Sequence, residues 1–177
     1  SILIVEFGGL PSDAPNQLQA SGQMLIDSTP PTVTSIRSLS PNKTYYRGEK
    51  VQLSVSFSET VTVTGTPRLL LETGATDRFA NYVSGSGTNA LTFEYTVESG
   101  DQSSDLDYVA TNSLVLNSGS IVDPVGNAAT LTLSSPGAAG SIANSAALVV
   151  DGSQITMVLG TNNTTSTTRD LVYTLTA

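Results

Sequence analysis

The chain has 177 residues, enough for one well-buried domain with some chain to spare, and its 15 acidic against 7 basic residues give a net charge of −8. It contains no cysteine and no histidine. That excludes disulfide staples, thiolate metal sites, cysteine nucleophiles and the usual neutral-pH proton shuttle. An acidic surface repels nucleic acid and anionic membranes, and its natural partners are hard cations that take oxygen ligands.

No apolar run approaches the roughly 18 residues of a spanning helix, so no membrane insertion is expected. The opening SILIVEFGGL has neither the basic flank of a secretory signal nor an initiator Met. The expectation is a fragment of a longer chain.

In chain order, apolar residues alternate with period two, the pattern of strands with one buried face. After the stiff linker DSTPPT, the expected strands are VTSIRS from 33, KVQLSVSF from 50, TVTVTG from 60, RLLLE from 68 and RFANYVS from 78. ALTFEYTVE from 90, SLVLN from 113, AATLTL from 128 and AALVVD from 146 follow. SPNKTYYRGE, ETGATD, SGSGTN and DPVGNA separate them with turn chemistry. No segment carries apolar positions at a helical period over a dozen residues, and β-branched residues abound. Many short strands at this spacing predict an all-β fold, an antiparallel β-sandwich.

LPSDAPNQLQASGQMLID, closing on Asp27, reads like LSSPGAAGSIANSAALVVD, closing on Asp151, at an offset of about 124 residues. This predicts a tandem array with partial flanking repeats. Residues 1–27 end a preceding repeat, 28–151 form a whole one, and 152–177 start a following domain.

DSTPPTVTSI, VSFSETVTVTGTP, NYVSGSGTNALTFEYTVESGD and SIVDPVGNAATLTL together resemble the immunoglobulin-like repeats of very large bacterial surface proteins and adhesins. The resemblance covers roughly residues 28–151. It implies an immunoglobulin-like Greek-key sandwich, export to the cell surface or beyond it, and a non-catalytic stalk or spacer whose joints are stiffened by Ca2+. The partners it implies are neighbouring repeats of the same chain.

In such a topology the acidic groups gather at two poles. Asp27, Glu59 and Asp123 would share the pole of the incoming linker, and Asp101, Asp105, Asp107 and Asp151 the opposite one. Stacked repeats would then face carboxylates with carboxylates, and a divalent cation with six to eight oxygen ligands relieves that repulsion. Asp101, Asp105 and Asp107 alone fail the EF-hand register, which needs Gly at the sixth position and a closing Glu where Asn112 stands. The expected metal ligands are therefore all seven residues, drawn from separate loops, with Asn127 a further candidate beside Asp123.

Other motifs read as structure. SGSGTN is a hairpin loop rather than a phosphate cradle, because no helix follows it. No Ser or Thr has a His partner for nucleophilic catalysis, since the chain has no histidine. Lys50 could form an isopeptide crosslink only if buried beside a carboxylate, and Tyr45, Tyr46 and Tyr82 could form a sugar-stacking platform only if they shared a surface. The alternative to a spacer is a recognition module that binds a glycan or a cell-surface protein of a host or prey through its pole loops. A third reading is an accessory domain of a secreted glycosidase.

Overall fold

The structure, a computed structural model, describes residues 2–5, 24–153, 156–159 and 173–176. Residues 10–23, most of the first member of the internal repeat, and most of the expected following domain lie outside the described residues.

Alternation in the sequence becomes strand after strand. They are β1 (Ile2–Val5), β2 (Met24–Asp27), β3 (Val33–Ser38), β4 (Thr44–Tyr46), β5 (Lys50–Thr64), β6 (Arg68–Leu71) and β7 (Arg78–Ser84). Then come β8 (Thr88–Thr96), β9 (Gln102–Ser103), β10 (Leu114–Val115), β11 (Ser120–Val122), β12 (Val149–Asp151), β13 (Thr156–Leu159) and β14 (Tyr173–Thr176). A single turn of helix, α1 (Ile142–Ser145), precedes β12. The fold is all-β.

β5 organises the sheet. Its Val51, Leu53, Val55 and Phe57 face the core, while one edge pairs antiparallel with β8 and the other with β3 and β11. The strand order is β10-β6-β7-β8-β5-β11, with β3 also on β5. A three-stranded sheet runs β4-β12-β9, with β12 parallel to β4 and antiparallel to β9. Past Leu71 the main chain of β6 goes on hydrogen-bonding to the segment that carries β9: Gln102 N donates to Thr73 O and Glu72 N to Asp107 O. The large sheet thus curls toward the small one. Leu91, Phe93 and Tyr95 of β8 share one core with Leu106, Tyr108, Ile142, Leu148 and Val150. Each such fully buried side chain contributes about 1.5–3 kcal/mol.

Several expected elements differ. KVQLSVSF and TVTVTG fuse into one strand, because β5 loses step with β8 between Ser56 and Val61 without leaving the sheet. AATLTL is no strand: Ala128 and Thr130 make isolated bridges to Val122 and Thr32, and Leu133 N donates to Thr111 O. SPNKTYYRGE, expected as a turn, contains β4. The one-turn helix was not foreseen either. Ser141 caps it by accepting from Asn144 N, and the chain is extended again by Ala146.

Asp101 is 1% exposed and fastens the loop after β8. Its carboxylate accepts from Tyr95 Oη, Arg78 Nε and Glu98 N, and its own carbonyl accepts from Gly152 N at 2.7 Å. A Cβ at Gly152 would lie 2.1 Å from Glu98 O, so only glycine lets the chain after β12 come this close. Burial pulls the Asp101 carboxyl upward, but the hydrogen bonds from Tyr95, Arg78 and Glu98 outweigh it and hold the group below its ordinary value.

Asp101→Ala should cost about 3 kcal/mol in urea unfolding, since it strands the Tyr95 hydroxyl and removes a partner of Arg78. A depressed carboxyl contributes stability that is fully present above its unfolded pKa of about 3.9 and lost as pH falls through its folded value. Asp101→Asn should therefore flatten the loss of stability of the native chain below about pH 4, followed by urea midpoints across pH.

Candidate metal centre

Three segments far apart in the chain meet where the linker reaches the large sheet. β2 ends on Asp27, whose Oδ1 accepts from Thr29 N at 2.9 Å and turns the chain into the Pro-Pro linker. The linker is then pinned to β5: Thr32 N donates to Ser58 Oγ, and Ser58 N donates back to Thr32 O.

Glu59 follows at once. Its sequence context predicts a loop after a strand, whereas it lies within β5, half-buried, between Phe57 and Val61. It sits in the stretch of β5 between Ser56 and Val61 where the register with β8 is broken.

The third segment is DPVGNA. Asp123, 2% exposed, accepts through Oδ1 from Val125 N and Asn127 N and through Oδ2 from Asn127 Nδ2 at 2.7 Å. Gly126 at φ +98° closes the turn. Asn127 Nδ2 also donates to the carbonyl of Asp27 at 3.2 Å, tying the loop to the strand before the linker. Burial pushes the Asp123 carboxyl up, but its hydrogen bonds from Asn127, Val125 and Gly126 prevail and keep it low, so it stays ionised at neutral pH.

One carboxylate oxygen from each of Asp27, Glu59 and Asp123 comes within 4.8 Å of the others. Among the described residues no Lys or Arg pairs with any of them, since the ion pairs join Lys43 to Glu49, Lys50 to Glu94, and Arg78 to Glu98 and Asp101. Three like charges this close raise one another's energy, and a divalent cation bound by carboxylate oxygens relieves it. Carboxylates brought from two strands and a turn, with no regular geometry imposed, suit calcium's variable coordination better than the strict octahedron of magnesium.

The other expected ligands do not converge. Asp101 spends its carboxylate on three protein donors. Asp107, 7% exposed, does the same, accepting from Tyr108 N, Ile142 N and Gly137 N and so anchoring the segment that carries α1. Asp105 is exposed, and half-buried Asp151 accepts from Ser153 N. Sequence spacing makes Asp101 and Asp107 look like metal ligands, but protein donors take up both carboxylates. The signal of Asp101's real role was Tyr95, a phenol on a core parity that needed an acceptor.

Lys50 is exposed and pairs with Glu94, so the buried lysine of an isopeptide crosslink is not found there. The three tyrosines make no common platform either. Tyr45 is buried with its hydroxyl on Pro41 O, Tyr46 is exposed, and Tyr82 packs edge-on to Phe93. No family model, curated protein or solved structure matches the chain.

In the presence of a chelator, Asp123→Ala and Glu59→Gln should move the melting temperature in opposite directions. The first lowers it, because loop 123–127 loses its central acceptor. The second raises it, because the cluster loses one of three like charges. Calorimetry of both variants checks the pair of signs.

Proposed function

We propose that residues 28–151 are an immunoglobulin-like repeat of a secreted or surface-attached bacterial adhesin or fibre, a non-catalytic spacer whose joint with the preceding repeat is stiffened by calcium. The observation that carries this reading is the convergence of Asp27 with Glu59 and Asp123. Asp27 belongs to the strand before the linker and the other two to the repeat itself, so an ion held by all three couples the incoming chain to the sandwich. A bound divalent ion turns a hinge at DSTPPT into a fixed angle.

Two further features support a repeat. The strand order β3-β5-β8-β7, with β12 running parallel to β4, supports an immunoglobulin-like Greek key. Asp27 and Asp151, about 124 residues apart, each close a strand and accept from the amide two residues on, Thr29 N at 2.9 Å and Ser153 N at 3.0 Å. The same turn at both exits suits chain that enters and leaves each unit in one way, with Asp151 as the Asp27 of the next joint.

Calcium at a hundredfold excess over its dissociation constant should stabilise the chain by about 2.7 kcal/mol, a rise in melting temperature on the order of 10 °C. Glu59→Gln and Asp27→Asn should abolish the rise, and Asp105→Asn should leave it intact. No shift of the native chain at millimolar calcium sinks the calcium joint.

A further inference from the structure

The linker joins the large sheet beside Ser58, where Thr32 N donates to Ser58 Oγ and Ser58 N donates back to Thr32 O. The chain leaves β12 beside the loop after β8: Gly152 N donates to Asp101 O at 2.7 Å, and Gly100 N donates to Gly152 O at 3.1 Å. Thr96, the end of β8, pairs with Lys50, the start of β5. That loop therefore lies on the order of 25 Å from Ser58 along β5, at about 3.3 Å per residue. Entry and exit are at opposite ends of β5.

The strands next to those two points run in the same direction. β3 lies antiparallel to β5, from Val33 opposite Phe57 to Ser38 opposite Leu53. β4 continues that course and turns back through Gly48, whose N donates to Val97 O, into the start of β5. β12 runs parallel to β4, from Val149 beside Thr44 to Asp151 beside Tyr46, and ends at Gly152. Tension between entry and exit draws β3 and β4 one way and β12 the other, so the strands are pushed to slide along their length. Ladder hydrogen bonds lie across that direction and are loaded together, whereas strands pulled apart from one end give them up one at a time.

Both end strands are also held along two edges. β12 is the middle strand of β4-β12-β9, and Gln102 N donating to Thr73 O ties β9 to the large sheet. β3 has β5 on one side, while on the other Ile36 N donates to Gly140 O and the preceding Thr32 bridges Thr130. At the exit the Asp101 carboxylate, accepting from Tyr95, Arg78 and Glu98, anchors the loop that grips Gly152. We propose that residues 28–151 form a force-bearing unit. Tension between entry and exit is resisted by shear of β12 against β4 and β9 and by the grip of the Asp101 loop on Gly152. The use of this strength rests on the spacer reading above; the strength itself needs no calcium.

The chain has no cysteine, so introduced pairs fix where a single molecule is pulled. Ser28→Cys with Ser153→Cys loads the end strands lengthwise. Thr66→Cys with Ser118→Cys instead opens two antiparallel pairs from their ends, β5–β11 at Thr64–Ser120 and β6–β10 at Arg68–Val115. In optical tweezers, at one loading rate and in a chelator, the first pull should need at least about twice the unfolding force of the second, since forced unfolding is set by the barrier to unfolding. Gly152→Ala, whose Cβ would lie 2.1 Å from Glu98 O, should lower the first force by a larger fraction than the second. The proposal is overturned by equal forces in the two geometries, or by a Gly152→Ala chain that is as strong in the first pull as the chain with glycine. Because both pulls are made in a chelator, a melting temperature indifferent to calcium sinks the calcium joint without touching these forces.

Discussion

A single strand of fifteen residues, β5, holds this protein together, because it is paired along both edges while one of its faces is core. β8 takes one edge, β3 and β11 divide the other, and Val51, Leu53, Val55 and Phe57 form the floor on which Leu91, Phe93 and Tyr95 pack. A slip of one residue in β5 would turn every one of those side chains to solvent. Its register is therefore the constraint from which the positions of the other strands follow. Its pairing with β8 loosens between Ser56 and Val61, where Glu59 comes within reach of Asp27 at the incoming linker.

The carboxylates fall into two physical kinds. Asp101 and Asp107 are buried and saturated by protein donors, and they hold loops in the way a metal ion would otherwise have to. Asp123 is as buried and as well supplied with protein donors, yet Asp27 and Glu59 each bring a carboxylate oxygen within 4.8 Å of it, and among the described residues no Lys or Arg pairs with any of the three. Identical chemistry thus closes loops at Asp101 and Asp107 and gathers like charge at Asp27, Glu59 and Asp123.

Much of this was legible in the residues. Strict alternation in KVQLSVSF and ALTFEYTVE fixed two central strands and their buried faces, because a period of two leaves no freedom about which side chains point inward. DPVGNA and SGSGTN declared their turns through Gly, Asn and Asp, and Gly85 at φ +108° sits where the second needs it. Short edge elements were not legible. β4, β9 and β11 each have only two or three residues, and their hydrogen bonds come from partners remote in sequence. AATLTL alternates like a strand yet finds no continuous neighbour to pair with, since pattern measures which face can be buried and not whether a partner edge is free.

The sequence by itself determined an all-β chain with an acidic surface, no histidine or cysteine chemistry, and a candidate meeting of Asp27, Glu59 and Asp123. Those properties are local: composition, alternation and turn chemistry act within a few residues. Only the tertiary structure decided that Asp101 and Asp107 are internal fasteners and that Glu59 lies inside a strand. Each of those depends on which donors arrive from distant strands, and an ionised carboxylate carries no mark in the sequence of whether a protein N–H, a cation or water will satisfy it.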